Sequence, residues 1–452
     1  MRKGRISMRI WLRNPAAILA EQAAGGVVID GGVIAELIAA GRSPSAPVDQ
    51  TIDAGAHVVL PGLINTHHHF YQTLTRAHPA AINRGLFDWL GALYPIWQRL
   101  TPDAIALSSE LAMAELLLSG VTCAADHHYV FPAGLEQVID TQVDVARKLG
   151  LRVVLTRGSM SLSQDDGGLP PREVVQSHDA ILADSERLLA HHHDAAPGAM
   201  VQIALAPCSP FSVTPELMRD TAAMAAAHHC RLHTHLAETH DETAFCLASF
   251  GRRPLDHLEA LGWMGPQTWL AHGIHFDPAE IVRLGAAGVG VAHCPTSNMT
   301  LGSGQCRTLD LEAAGSPVGL AVDGSASNDA SNMMEEVRHA LLLGRLTYGA
   351  DKVTHLDALR WGTQGSAACL GRADIGRLAV GAQADLALFR LDRDLRFSGG
   401  HDPLATLVLC GASRADRVMV AGRWVVEDGE VITTDTAALR ARHHALARQL
   451  FA

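Results

Sequence analysis

The sequence predicts an α/β protein: a (β/α)8 barrel of the TIM type, with a small β-sandwich domain assembled from both termini. Three observations predict it. Eight near-continuous apolar runs recur through the middle of the chain, the pattern of parallel strands buried on both faces. Helical segments with recognisable start signals separate these runs. Short strands and turns without long helices make up both ends. The expected division is residues 1–62 with 376–452 for the small domain and 63–375 for the barrel.

At the N-terminal end MRIWLRN, VVIDGGVIAEL and TIDAGAHVVL read as strands, with Gly31-Gly32 as a hairpin turn. The same style returns in GRLAVGAQADLALFRLD and RVMVAGRWVVEDGEVI after Ile375. Met8 offers an alternative start, which would make the first seven residues an extension.

The barrel candidates are VVLPGLI, Val121 to His128, Leu151 to Gly158, Met200 to Ser209, Arg231 to Glu238, Thr268 to His275, Gly288 to Pro295 and Val318 to Ser325. Thr101-Pro102 opens the helix DAIALSSELAMAELLLS, which Gly120 closes. Thr214-Pro215 and Asp277-Pro278 repeat that start, and Asp277 with Glu280 spells a capping box. A doubly wound open sheet is the alternative, but no glycine-rich phosphate fingerprint follows the first strand.

Composition narrows the function. With 36 basic and 47 acidic residues the formal charge is -11, which argues against nucleic acid, since phosphate binding needs a basic field. Eight scattered cysteines form no CxxC pair and read as reduced thiols of a cytoplasmic protein. No apolar run has signal or membrane-spanning length, so no membrane association is expected.

The stretch HVVLPGLINTHHHF ends an apolar strand in three histidines. In extended backbone His67 and His69 share one face and His68 the other, so two imidazoles aim at one point, as a metal ion requires. A second run, His191 to His193, follows a polar helical segment and reads as a solvated helix end. Further along, His233, His235 and Glu238, then His272, then Asp323 fall at the C-terminal ends of strands, where barrels place their chemistry. Any one of these histidines alone is more easily a hydrogen-bonded core residue; the convergence of several strand ends favours metal.

PGLINTHHH, THLAET, AHGIH, HCPTSNMTLGSG and VDGSASN, in this order, resemble the amidohydrolase superfamily, in its aminohydrolase and deaminase branch. The resemblance spans nearly the whole chain. It implies that His67, His69, His235 and Asp323 hold one divalent metal, zinc ahead of iron. It makes Glu238 the proton shuttle and His272 the histidine that steadies the attacked centre. Spacing alone would admit His233 as a ligand; the motif gives that role to His235. His68, Asn65 and His293 remain supporting candidates. Two-metal members bridge their ions with a lysine or acid at the fourth strand, but MVQIALAPCS ends without either, and Lys148 is the only lysine between the second and fifth strands. A single metal is expected.

The implied reaction is hydrolytic deamination of a heterocycle, by attack of hydroxide on the ring carbon bearing the amine. Asp323 joins Glu238 and His272 as a catalytic group by passing the proton to the leaving amine. HHHFYQTLTRA and TRGSMSLSQDDGGLPP are most similar to branch members that convert 8-oxoguanine and water to urate and ammonia. A hydroxyatrazine-type N-ethylaminohydrolase, or a guanine or pterin deaminase, is the alternative. Gln72, Arg76, Tyr94 and Trp97 are the expected substrate-binding residues, and TRGSMSLSQDDGGLPPR the expected mobile loop. A homo-oligomer is expected. An inactive assembly homologue would have lost ligands or Glu238, and none is lost.

Overall fold

The computed structural model describes residues 8–412 and 414–450; the leader 1–7, read as a possible extension, lies outside the described residues. Eight parallel strands follow one another in chain order: β1 Leu63–Asn65, β2 Val121–His128, β3 Arg152–Ser159, β4 Val201–Pro207, β5 Arg231–Leu236, β6 Thr268–His272, β7 Gly290–His293 and β8 Val318–Leu320. Thr66 N donates to Leu320 O (3.1 Å) and Asp323 N to His67 O (3.1 Å), so the edge strands meet and the sheet curls into a nearly closed barrel. Ile64, Cys123, Val154, Ala204, Trp269 and Ala292 fill its interior, and Cys369, Leu370 and Ile375 join that cluster.

The helices begin where the sequence signals them. Thr101 caps the helix Pro102–Leu118, Thr214 caps Pro215–His228, and Asp277 with Glu280 forms a complete capping box on Pro278–Ala287. The histidine run closes the helix His178–His192, with His192 bonded to Asp140.

Three strand expectations change. VVLPGLI is two strands: His57–Pro61 pairs with Leu386–Arg390 in a separate sheet, and only Leu63–Asn65 enters the barrel. The switch falls at Gly62, where a Cβ would sit 2.0 Å from Thr122 Oγ1, so only glycine lets the chain pass β2. β6 stops at His272 and β8 at Leu320, short of the expected His275 and Ser325. His272 (φ 73°) and Asp323 (φ 63°) are left-handed, which breaks an extended ladder.

The terminal segments form a four-stranded and a six-stranded sheet. Leu12, Val27 and Ile34 of the first pack against Val59, Leu386 and Met419 of the second. The last helix, Thr436–Leu450, falls within the residues expected for this small domain but packs on the barrel helix Pro102–Leu118. Among the described residues no helix is long and apolar enough to cross a membrane.

Candidate metal centre

β1 ends at Asn65, and His67 and His69 follow it at the barrel mouth. Their Nε2 atoms converge with His235 Nε2 from β5 and Asp323 Oδ1 from beyond β8. Asp323 Oδ1 lies 3.3 Å from Nε2 of His67 and 3.3 Å from Nε2 of His69; the Nε2 atoms of His69 and His235 are 3.3 Å apart. All four side chains are buried.

The outer hydrogen bonds settle the tautomers. His69 Nδ1 donates to His127 O (2.7 Å) and His235 Nδ1 to Cys208 O (2.7 Å). His233 Nδ1 donates to Trp269 O (2.9 Å), so its Nε2 accepts from His67 Nδ1 (2.7 Å). Each of the three imidazoles, with a single proton, thus spends it on Nδ1 and leaves Nε2 bare. Burial pushes the His235 imidazole down to about 3 and holds His67 well below its ordinary value, so neither charges at neutral pH. Bare lone pairs held this close repel unless a cation lies between them; His67, His69 and His235 form one group that could hold a metal ion, and His67 with His272 and Asp323 forms another that shares His67. Lys148 sits away on the helix Val138–Leu149, paired with Glu110.

Glu238 and His272 stand beside this set. Glu238 Oε2 lies 3.4 Å from His272 Nε2, and Oε1 is buried without a partner. Burial, with Asp323 and Glu242 adding negative charge, pushes the Glu238 carboxyl well above the usual carboxylate range. Asn298 Nδ2 donates to His272 Nδ1 (3.1 Å), which leaves the imidazole proton on Nε2, facing the cavity. Burial lowers His272 to about 4. Ser297 Oγ donates to Asp323 Oδ2 (2.6 Å) and fixes the carboxylate plane. Ala237 (φ 54°), His272 and Asp323 are all left-handed non-glycine residues, the backbone strain that accumulates at functional sites.

His69, His235, Glu238, His272 and Asp323 open into one cavity, walled by Trp89, Tyr94, Tyr129 and Phe211 with Gln72 at one side. Asp126 accepts from Phe70 N (2.7 Å) and anchors the turn Phe70–Thr75 that carries Gln72 inward. Gln72 Oε1 accepts from Ala326 N (3.4 Å); its Nε2 is buried and unpartnered. A Cβ at Gly324 would meet Gln72 Oε1 at 1.9 Å, so glycine there makes room for the amide.

Two expected substrate residues do not line this cavity. Arg76 pairs with Glu115 in a different and wider cleft of about 710 Å³, between the barrel and the last helix. Trp97 donates to Thr75 Oγ1 (3.2 Å) and packs edge-on against Tyr71 and Trp89, behind the wall. The loop expected to be mobile is tied down: Ser161 N and Leu162 N donate to Ser212 O, and Leu169 N to Phe211 O. Sequence reasoning passed over His127 and Tyr129. His127 stacks on His235, with ring centroids 4.7 Å apart, and its place near the end of the VTCAADHHY strand run was the sign of it.

A buried set of three imidazoles and a carboxylate, with an acid and a histidine beside it at the C-terminal mouth of a (β/α)8 barrel, defines a metal-dependent hydrolase. Residues 58–425 match the amidohydrolase family, and the chain belongs to it. It is 62% identical over 98% of its length to the 8-oxoguanine deaminase of Pseudomonas aeruginosa, covering 99% of that protein. It is 40% identical to the hydroxydechloroatrazine ethylaminohydrolase of Pseudomonas sp. strain ADP, over 85% of this chain and 82% of that one. Among solved structures, the atrazine chlorohydrolase of Arthrobacter aurescens TC1 complexed with zinc superposes with a TM-score of 0.91 at 33% identity, covering 97% of this chain and 100% of that chain.

Proposed function

We propose that this protein is a metal-dependent deaminase that converts 8-oxoguanine and water to urate and ammonia. The observation that carries the chemistry is Glu238: a buried carboxyl with a free Oε1, facing the same cavity as the His69, His235 and Asp323 donors. The substrate rests on the full-length likeness to the Pseudomonas aeruginosa deaminase.

His67, His69, His235 and Asp323 would hold the metal, and zinc is the proposed ion, as in the related chlorohydrolase structure. A divalent ion there supplies a Lewis-acidic centre that lowers the pKa of water to about 7. Glu238, its carboxyl pushed well above the usual carboxylate range by burial, gives its proton to the ring nitrogen next to the amine-bearing carbon as oxygen adds to that carbon. The flat carbon becomes tetrahedral. His272 Nε2–H hydrogen-bonds the developing oxygen charge. Asp323 takes one proton of the attacking water and passes it to the amine, which leaves as ammonia; the remaining hydroxyl proton returns to Glu238 as the carbonyl forms. Gln72 Nε2 is free to donate to a ring carbonyl, and Tyr94, Tyr129 and Trp89 offer aromatic surface to a planar ring. Seven of the eight free cysteines are buried, which supports a reducing, cytoplasmic setting.

The test is the identity of the released amine. Metal-loaded protein is offered 8-oxoguanine, isoxanthopterin and an N-ethylamino-hydroxytriazine, with ammonia and ethylamine assayed separately. Ammonia with urate from 8-oxoguanine, at the highest kcat/KM of the three, is expected. Preference for the triazine, with ethylamine released, would keep the site chemistry and overturn the substrate.

A further inference from the structure

We propose that Glu242 is a positioning residue whose carboxylate grips the backbone of Ala237 and Glu238 and so sets where the Glu238 side chain points. The proposal rests on the reading of Glu238 as the proton shuttle.

After β5 the chain turns sharply through Ala237 and enters the helix His240–Phe250, capped by Thr239. In a capping box the third helical residue returns its side chain to the backbone N–H of the cap. Glu242 occupies that third position but reaches further back. Its Oε1 accepts from Ala237 N (2.9 Å) and its Oε2 from Glu238 N (2.9 Å). Thr239 Oγ1 already caps the helix by accepting from Glu242 N (3.4 Å), so the carboxylate is spared for the turn.

The turn is held from its other side as well. Ala237 O accepts from Ile274 N and His275 N (2.9 Å each), in the loop that follows His272. The peptide carrying Glu238 is therefore clamped between Glu242 and that loop. The Glu238 side chain itself has little to hold it: Oε1 has no partner and Oε2 meets only His272 Nε2, at 3.4 Å. Its aim is set by the backbone. Glu242 is fully buried, and no Lys, Arg or His among the described residues forms an ion pair with it. Burying a carboxylate without a cation is costly, and the two backbone hydrogen bonds offset part of that cost.

The experiment uses the full-length, metal-loaded protein with Glu242→Gln and Glu242→Asp, each alone and combined with Glu238→Gln. The amide puts an NH2 against one of the two N–H donors; the aspartate is a methylene too short to reach both. Glu242→Gln should lower kcat about 10²-fold, the scale of a misplaced reacting group, with metal content unchanged and KM within about twofold. In the Glu238→Gln background the same change should alter the residual rate by less than about twofold, because a group that acts only through Glu238 has nothing left to position. An equal loss in both backgrounds would make Glu242 a structural residue and overturn the proposal, as would unchanged kcat in Glu242→Gln. If Glu242→Gln does not fold, Glu242→Asp carries the same comparison. Full activity in Glu238→Gln alone would instead overturn the proton-shuttle reading, so the two failures are distinguishable.

Discussion

The Nε2 atoms of His69 and His235 face one another across 3.3 Å, each with its Nδ1 proton committed to a backbone carbonyl. Two lone pairs pointed together in a buried site repel, and a cation between them would relieve that repulsion. That relationship orders the rest of the site: the carbonyls hold the tautomers, His233 does the same for His67, and Asp323 supplies the negative charge.

Removing Glu238's exchangeable proton tests the shuttle. Glu238→Gln keeps size and hydrogen-bonding capacity but cannot transfer the proton, so kcat should fall by about 10²–10⁴ while metal content stays at the wild-type level. Undiminished turnover with full metal would refute the assignment.

His233→Ala leaves His67 Nδ1–H buried without its acceptor. Loss of such an outer partner costs about 10–100-fold in metal affinity, which competition against a chelator of known affinity measures. Wild-type affinity would mean that His233 does not hold the tautomer of His67.

Of the two expected recognition residues on this segment, Gln72 lines the cavity and Arg76 lines the other cleft. The turn Phe70–Thr75 is a tight helix, so residues a few positions apart point in different directions: Gln72 into the cavity, Thr73 toward His443 and Arg76 toward Glu115. Gln72→Ala should lower kcat/KM for an oxopurine about tenfold, the value of one neutral hydrogen bond in a buried site, and Arg76→Ala should change it little. The reverse ranking would place the recognition surface in the wider cleft.

Strand order and helix caps could be read from the chain because runs of buried apolar residues and Thr-Pro or Asp-Pro pairs are local signals. The expected metal set stands out in the chain because His67, His69, His235 and Asp323 fall at or just past strand ends. What escaped was non-local. The split of VVLPGLI between two sheets depends on Thr122 crowding Gly62. His127 becomes part of the site only through its stack on His235, a contact 108 residues apart in sequence.

Acid stability follows from buried histidines. Burial lowers His68, His128 and His293 each to about 3, so their folded values lie below the ordinary 6.5. The unfolded chain then binds more protons between about pH 3 and 6.5, and the stability they contribute above 6.5 is lost as pH falls through that window. Asp126 and Glu242, raised by burial to about 7, oppose this by losing stability as pH rises from about 4.5 to 7. Glu336, raised to about 8, and Glu238 act as those carboxyls do, but His257, His272 and His443, each lowered to about 4, join the histidines and leave them the larger set, so Tm should drop between pH 6.5 and 4.5. A Tm constant or rising over that range would contradict the burial account.

The most direct measurement is urate appearance from 8-oxoguanine, followed spectroscopically in protein that is metal-loaded, then chelated, then reloaded with zinc. Turnover with one ammonia per urate, loss of turnover on chelation and recovery on zinc addition are expected. Equal turnover in the chelated protein, or no urate from the loaded one, would contradict it.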